Sequence, residues 1–233
     1  MTDAVVFDLD GVILDSEPVW EQVRRGYVAG HGGRWLPDTQ RRLMGMNTAE
    51  WAGYLSHDLG VQRTPEQVAA DVVEQMVERY TQRVPLIPGA DRRVRDLAAV
   101  WRLGLASSSP PRLIEAALVA TGLADAFAVH LSADQVARGK PAPDVYQAVA
   151  SRLGLSTANC VAVEDSSNGV RAAAAAGMSV VALPHPRYPL DPDARDRTAV
   201  VLPDIAELTP QVVRSLPANH PVRFRRPPRG PAG

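Results

Sequence analysis

The chain has 233 residues, of which 45% are hydrophobic, and its formal net charge is -1. This length fits one large domain or two small ones, and the apolar fraction is sufficient for a sizeable core. The balanced charge gives no general attraction to nucleic acid or anionic membrane, and no apolar run approaches the length of a bilayer span. The single cysteine, Cys160, excludes an intrachain disulfide and a thiolate-cluster metal site. Because the N-terminus lacks a signal-peptide pattern, we expect a cytoplasmic protein.

The first predicted element is a buried strand over the apolar residues 4–7, which leads into Asp8, Asp10 and Gly11. Residues two apart in a strand point to the same side, so both carboxylates are expected on one face at the strand's C-terminal end. Gly11 allows a turn and the close approach of a ligand. Two neighbouring carboxylates need a cation or a shared proton. The pattern therefore predicts a metal-assisted site, with an ordinary Asp-Gly turn as the alternative.

Residues 16–85 have helical patterns and no convincing strand. The clearest helix start is a capping-box pattern formed by Thr64 and Gln67, after which apolar residues recur every four positions. Pro85 and the Pro88-Gly89 pair break this periodicity. The sequence thus predicts a small all-helical cap domain over residues 16–85, inserted after the first strand.

From residue 86 onward, strand and helix patterns alternate. Strands are predicted over residues 103–106, 127–131, 161–163, 179–183 and 199–202. Alternation of this kind is typical of an α/β fold, in which helices cover both faces of a parallel sheet. We expect a discontinuous core over residues 1–15 and 86–217, and a disordered Pro/Arg-rich tail over residues 218–233.

Polar residues follow two of these strands. Ser107 and Ser108 end the strand over 103–106, where hydroxyl and backbone N–H groups could bind a phosphate or cap the next helix. Lys140 is the only lysine in the chain and lies between Gly139 and Pro141. It could neutralise a phosphate and a carboxylate together, or be a solvated loop lysine.

Glu164 and Asp165 follow the strand over 161–163. In the loop beyond the strand both carboxylates can turn toward one ion, although acids here could also cap the next helix. With Asp8 and Asp10 they give an all-oxygen set of ligands, which suits Mg²⁺ better than zinc or copper. The five histidines include no pair with metal-binding spacing.

The order and spacing of these four segments resemble the haloacid dehalogenase superfamily over residues 3–208. Residues 8–12 look like its first motif, Ser107 its second, Lys140 its third, and Glu164 with Asp165 its fourth. The resemblance implies a Rossmann-like core with an inserted helical cap, in agreement with the patterns above.

The resemblance also implies a mechanism. Asp8 would attack phosphorus to form an aspartyl-phosphate, and Asp10 would act first as general acid and then as general base. Mg²⁺ would be held by Asp8, the Asp10 backbone carbonyl and Asp165, with Glu164 bound directly or through water. Ser107 and Lys140 would hold the phosphoryl oxygens.

Further contacts to the substrate are expected from Gly11, Ser108 and Thr48. Thr48 belongs to the segment 44–48, which we expect to be the specificity loop of the cap. Segments 15–20, 85–89 and 105–110 are similar to the hexose and hexitol phosphate phosphatases of the superfamily. The resemblance thus implies a small phosphorylated sugar or sugar alcohol as substrate. From the balanced charge we expect neither nucleic acid nor membrane as partner. We expect a monomer, with a dimer left open.

Two alternatives to hydrolysis remain. A β-phosphoglucomutase-like enzyme would transfer the phosphoryl group between sugar positions. Mutase members usually carry a histidine and a cap arginine where this chain has Trp20 and Thr48, although Arg41 or Arg42 could substitute. A non-enzymatic binding module would use the same fold without chemistry, but the intact acids in the motifs argue against it.

Overall fold

The structure, a computed structural model, describes residues 2–43 and 46–216. Its strands are β1 (Ala4–Phe7), β2 (Arg102–Ser107), β3 (Phe127–Ser132), β4 (Cys160–Glu164), β5 (Ser179–Ala182) and β6 (Val200–Val201). They form one parallel sheet in the order β3-β2-β1-β4-β5-β6. This is the Rossmann-like α/β fold that the alternating pattern predicts.

Helices connect and cover the strands. The α-helices in the described residues are α1 (Glu17–Gly30), α2 (Thr39–Leu43), α3 (Thr48–Gly53), α4 (Pro65–Gln82), α5 (Ala90–Ala98), α6 (Pro111–Thr121), α7 (Asp144–Leu153), α8 (Ser167–Ala175), α9 (Pro192–Arg195) and α10 (Pro210–Ser215). A π-helical segment, Tyr54–Asp58, continues α3. None of the described helices combines the length and apolar character needed to cross a bilayer.

The central strand β1 is buried on both faces of the sheet. Its residues alternate between the two apolar clusters of the core, with Val5 and Phe7 in one cluster and Ala4 and Val6 in the other. This alternation follows from the period of two in a strand, and it explains why β1 carries no polar side chain.

The helices α1 to α4 all lie in the sequence between β1 and β2. The predicted capping box at Thr64 and Gln67 is present at the start of α4, and a second one, formed by Asn47 and Glu50, begins α3. We keep the division into a core (1–15 and 86–217) and a cap (16–85) as a proposal. The expected tail over residues 218–233 lies outside the described residues.

The strand order reverses beside β1, because β2 pairs with one edge of β1 and β4 with the other. In open α/β sheets, ligands bind at the carboxyl ends of the strands at such a switch point. Asp8, Ser107 and Glu164 each stand at the C-terminal end of one of these three strands. The topology therefore brings three of the predicted segments to one edge of the sheet.

Candidate active site

The turn after β1 depends on Gly11. Its φ of 81° lies in the left-handed region, and a Cβ atom at this position would be 2.0 Å from Oδ2 of Asp165. Glycine is therefore required both for the backbone conformation and for the approach of Asp165. Gly11 brings the first and fourth predicted segments together, while its contact with a substrate stays a prediction.

Lys140 joins the first, third and fourth segments. Its Nζ is 2.7 Å from Oδ1 of Asp8, 2.6 Å from Oε1 of Glu164 and 3.0 Å from the carbonyl oxygen of Ala106. The lysine is buried. Burial alone would lower the pKa of Lys140, but the charges of Asp8 and Glu164 outweigh this effect and raise it. Lys140 is therefore a buried ammonium group placed between two carboxylates.

Several donors hold Glu164 in place. Besides Lys140, the hydroxyl of Tyr146 donates to Oε1 at 2.6 Å, and the Asp165 backbone N–H and the Ser166 hydroxyl both donate to Oε2 at 3.2 Å. The carboxylate also lies over the first turn of α8, where a Cβ atom at Gly169 would be 1.9 Å from it. Glu164 is thus fixed from every side by hydrogen bonds and packing.

We expect Gly169→Ala to destabilise the protein by about 2 kcal/mol, because the added methyl group collides with a carboxylate that cannot move. The control is Gly26→Ala in α1, where no atom lies within 4 Å of the added Cβ. That variant should gain about 0.5–1 kcal/mol from the better helix propensity of alanine. Urea denaturation measures both changes, and a stabilising effect of Gly169→Ala would contradict the placement of Glu164.

Three buried carboxylates form a compact acidic cluster. Oxygen atoms of Asp8, Glu164 and Asp165 all lie within 4.8 Å of one another. Burial raises the pKa of Asp8 to about 8: Lys140 lowers it, while Glu164 and Asp10 raise it further. Burial, followed by the charges of Glu164 and Asp8, raises the pKa of Asp165 well above its usual range. The positive charge of Lys140 alone therefore does not neutralise the three carboxylates. Their oxygen atoms are ligands that suit a divalent cation.

The carboxylate of Asp10 lies outside that cluster and is held by different partners. Ser16 donates to Oδ1 at 2.5 Å, and Ser109 donates to Oδ2 at 2.7 Å. The Ser107 hydroxyl contributes a longer bond of 3.3 Å, and the Trp20 indole N–H one of 3.4 Å. Asp10 is thus oriented by side chains from β2, the loop that follows it, and the start of α1.

The predicted serines have different positions. Ser107 is fully buried. Its hydroxyl accepts a hydrogen bond from the Ser109 backbone N–H at 2.9 Å and donates one to Asp10, so it orients both residues. Ser108 and Ser109 line the cavity that Asp8 and Asp10 face. Ser109 was not predicted as a site residue, because it belongs to a run of serines that is equally typical of a helix cap.

The opposite wall of this cavity comes from the helices between β1 and β2. Glu17, Trp20 and Arg24 of α1 line it together with Trp51 of α3. The Arg24 guanidinium lies 4.1 Å from the ring centroid of Trp20 and 4.9 Å from that of Trp51. Burial lowers the pKa of Arg24 to about 10, although Glu17 counteracts this, so the side chain is cationic at neutral pH.

Thr48 has a different neighbour from the one expected. Its hydroxyl donates to Oδ2 of Asp134 at 2.5 Å, and its backbone N–H donates to Oδ1 at 3.1 Å. It therefore fastens the start of α3 to the loop after β3, and it is not among the described residues that line the cavity. Met46 of the same segment does line the cavity, whereas Met44 and Gly45 lie outside the described residues.

Similarity to known proteins identifies the family of this chain. A family model for haloacid dehalogenase-like hydrolases matches residues 2–177, so the chain belongs to this family of enzymes. The chain is 33% identical to hexitol phosphatase B of Escherichia coli over 199 residues, which cover 81% of this chain and 86% of that protein. It is 32% identical to the phosphorylated carbohydrates phosphatase of Thermotoga maritima over 177 residues, 76% of this chain and 82% of that protein.

A solved structure shows the same fold. The crystal structure of CbbY from Rhodobacter sphaeroides in complex with phosphate superposes with a TM-score of 0.79 at 27% identity. The match covers 89% of this chain and 96% of that chain. The fold of this chain is therefore shared with a known structure over most of its length.

Proposed function

We propose that the protein is a Mg²⁺-dependent phosphatase that hydrolyses a small sugar phosphate or sugar-alcohol phosphate through an aspartyl-phosphate on Asp8. The observation that carries the proposal is the contact of Asp8 with Lys140, within a buried acidic cluster at the switch point of the sheet. The names of the hexitol and carbohydrate phosphatases to which the chain is similar support the substrate class.

In this proposal Asp8 is the nucleophile and Asp10 is the general acid and base. A carboxylate oxygen of Asp8 forms a bond to phosphorus while the bond from phosphorus to the leaving alcohol breaks, and Asp10 donates a proton to the leaving oxygen. Asp10 then takes a proton from water, whose oxygen attacks phosphorus and breaks the Asp8–phosphorus linkage. Lys140 offsets the negative charge of Asp8, and Ser107 and Ser109 keep Asp10 oriented.

The acidic cluster is the proposed magnesium site. Asp8 and Asp165, with the backbone carbonyl of Asp10, would hold the ion, and Glu164 would contribute directly or through water. When bound, the ion would offset the repulsion between the nucleophilic carboxylate and the phosphate dianion. Because Glu164 already accepts bonds from Lys140 and Tyr146, its main part is to position Lys140.

A panel of phosphate monoesters tests the proposal. With Mg²⁺ we expect phosphate release from hexose or hexitol phosphates, a loss of at least about 100-fold in EDTA, and recovery when Mg²⁺ is returned in excess. Phosphate release that persists in EDTA would contradict the metal dependence. A protein that hydrolyses no phosphate monoester in the panel would contradict the function itself.

One observation favours hydrolysis over the β-phosphoglucomutase-like alternative. Trp20 stands where mutase members usually carry a histidine, and its indole N–H points to Oδ1 of Asp10. An indole donates a hydrogen bond but exchanges no proton at neutral pH. From β-glucose 1-phosphate we therefore expect inorganic phosphate as product. Glucose 6-phosphate as the main product would instead support the mutase activity.

A further inference from the structure

Arg24 is a buried cation with a guanidinium N–H that no described residue accepts. The residue is 5% exposed, and its Nε has no hydrogen-bond partner. Its guanidinium contacts the ring faces of Trp20 and Trp51. A buried donor without an acceptor is costly, so the arrangement indicates an acceptor supplied by a ligand.

The position of Arg24 fits the leaving-group side of the cavity. Trp20 donates its N–H to Asp10, and its ring supports the Arg24 guanidinium 4.1 Å away. The proposed mechanism requires the leaving oxygen to lie beside Asp10, which protonates it. The alcohol part of the substrate then extends along Trp20 toward Arg24.

The chemistry of this wall fits hydroxyl groups better than a second anion. Glu17 lines the same wall, and Gln40 holds its Oε2 through a hydrogen bond of 2.5 Å. A hydroxyl group can accept from a guanidinium and donate to a carboxylate at the same time. A phosphate or carboxylate would be attracted by Arg24 but repelled by Glu17 and Asp10.

We propose that Arg24 and Glu17 form a subsite that binds the hydroxyl groups of the leaving alcohol, and so selects polyol phosphates over monoesters without hydroxyls. This inference rests on the proposed phosphatase function and adds the residues that determine its specificity. The rings of Trp20 and Trp51 both contact the guanidinium, and Gln40 fixes the carboxylate of Glu17, so the subsite is organised before the substrate binds.

Two substrates of equal chain length test the subsite. Sorbitol 6-phosphate carries hydroxyl groups along its chain, whereas n-hexyl phosphate carries none. We expect Arg24→Gln to reduce the ratio of their kcat/KM values by roughly 10- to 100-fold, mainly through a higher KM for sorbitol 6-phosphate. Glu17→Gln should lower the same ratio. Arg25→Gln is the matched control, since Arg25 is the exposed neighbour on the same helix.

The outcomes separate this inference from the function on which it rests. An unchanged ratio in Arg24→Gln, or an equal loss for both substrates, would overturn the hydroxyl subsite. If Arg24→Gln is poorly folded, Glu17→Gln decides the question by the same ratio. A loss confined to glucose 1,6-bisphosphate would assign Arg24 to a second phosphate instead. A wild-type protein that prefers n-hexyl phosphate overturns the inference alone, whereas one that hydrolyses no monoester overturns the proposed function.

Discussion

Replacing Asp8 with asparagine is expected to reduce phosphate release by at least about 10⁴-fold, because an amide cannot act as the nucleophile. The fold should survive, since asparagine has nearly the same shape and Lys140 keeps its hydrogen bond to Glu164. The variant also removes a carboxyl group whose pKa burial raises to about 8, and with it a buried charge that the fold opposes. Phosphate release under saturating Mg²⁺ and the midpoint of thermal unfolding measure the two effects.

The control for this variant is Asp125→Asn, which changes an exposed aspartate between α6 and β3. It should leave both activity and thermal unfolding close to those of the wild type. Near wild-type phosphate release by Asp8→Asn would contradict the assignment of Asp8 as nucleophile. An Asp8→Asn protein that is inactive and unfolded would contradict our expectation that the carboxylate of Asp8 is required for catalysis but not for folding.

Lys140→Met is expected to affect both activity and stability. It leaves the buried carboxylates of Asp8 and Glu164 without their cation, which typically costs about 3–5 kcal/mol of unfolding free energy. Phosphate release should fall by at least about 10³-fold, because Asp8 loses the charge that positions and neutralises it. Urea denaturation without metal and phosphate release with Mg²⁺ measure these effects.

The stability loss in Lys140→Met should depend on pH. Burial raises the pKa of Asp8 in the folded wild type to about 8 even though Lys140 lowers it, so the loss of Lys140 raises this pKa further. Below about pH 8, Asp8 is mostly protonated in both folded proteins and adds little to the deficit. Above pH 8, Asp8 ionises in the folded wild type but stays protonated in the folded variant, so the variant loses more stability as the pH rises. The deficit should therefore be larger at pH 9.5 than at pH 7. Arg152→Met, at an exposed position, should show neither effect, and an equal deficit at both pH values would contradict this account.

The sequence was sufficient where structure depends on neighbours in the chain. The apolar residues of β1 predicted a strand buried on both faces, and Thr64 with Gln67 predicted the start of α4, because a capping box involves only one helical turn. The four polar segments could be assigned to one edge of the sheet because parallel strands end there together. The placement of Asp8, Lys140 and Glu164 agrees with that reasoning.

Contacts between distant segments could not be predicted in the same way. The hydrogen bond of Thr48 with Asp134 spans 86 residues, and nothing in the local pattern indicates it. The expected contact of Ser107 with the phosphoryl oxygens stays a prediction. Its hydrogen bond to Asp10 was not predicted, and it forms because β1 and β2 are adjacent strands. Such pairings depend on how the chain packs rather than on sequence spacing.

The position of Arg24 in the sequence does indicate a functional residue, although it was not predicted as one. The buried face of α1 consists of Trp20, Val23, Arg24, Tyr27 and Val28. These positions follow the spacing of an apolar helical stripe, so the arginine is a single charge on a face that should be apolar. A charged residue in such a stripe is an indication of function, since a cation is rarely buried without a partner.

The central claim is that Asp8 carries phosphorus during turnover, and it can be tested chemically. The wild-type protein is mixed with sorbitol 6-phosphate and Mg²⁺, quenched in acid during steady turnover, and reduced with borohydride, which converts an aspartyl-phosphate into homoserine. Peptide mass spectrometry then locates the modified residue. The account predicts homoserine at position 8 alone. Modification at another residue, or an unmodified Asp8 in samples that show a burst of alcohol release, would contradict it.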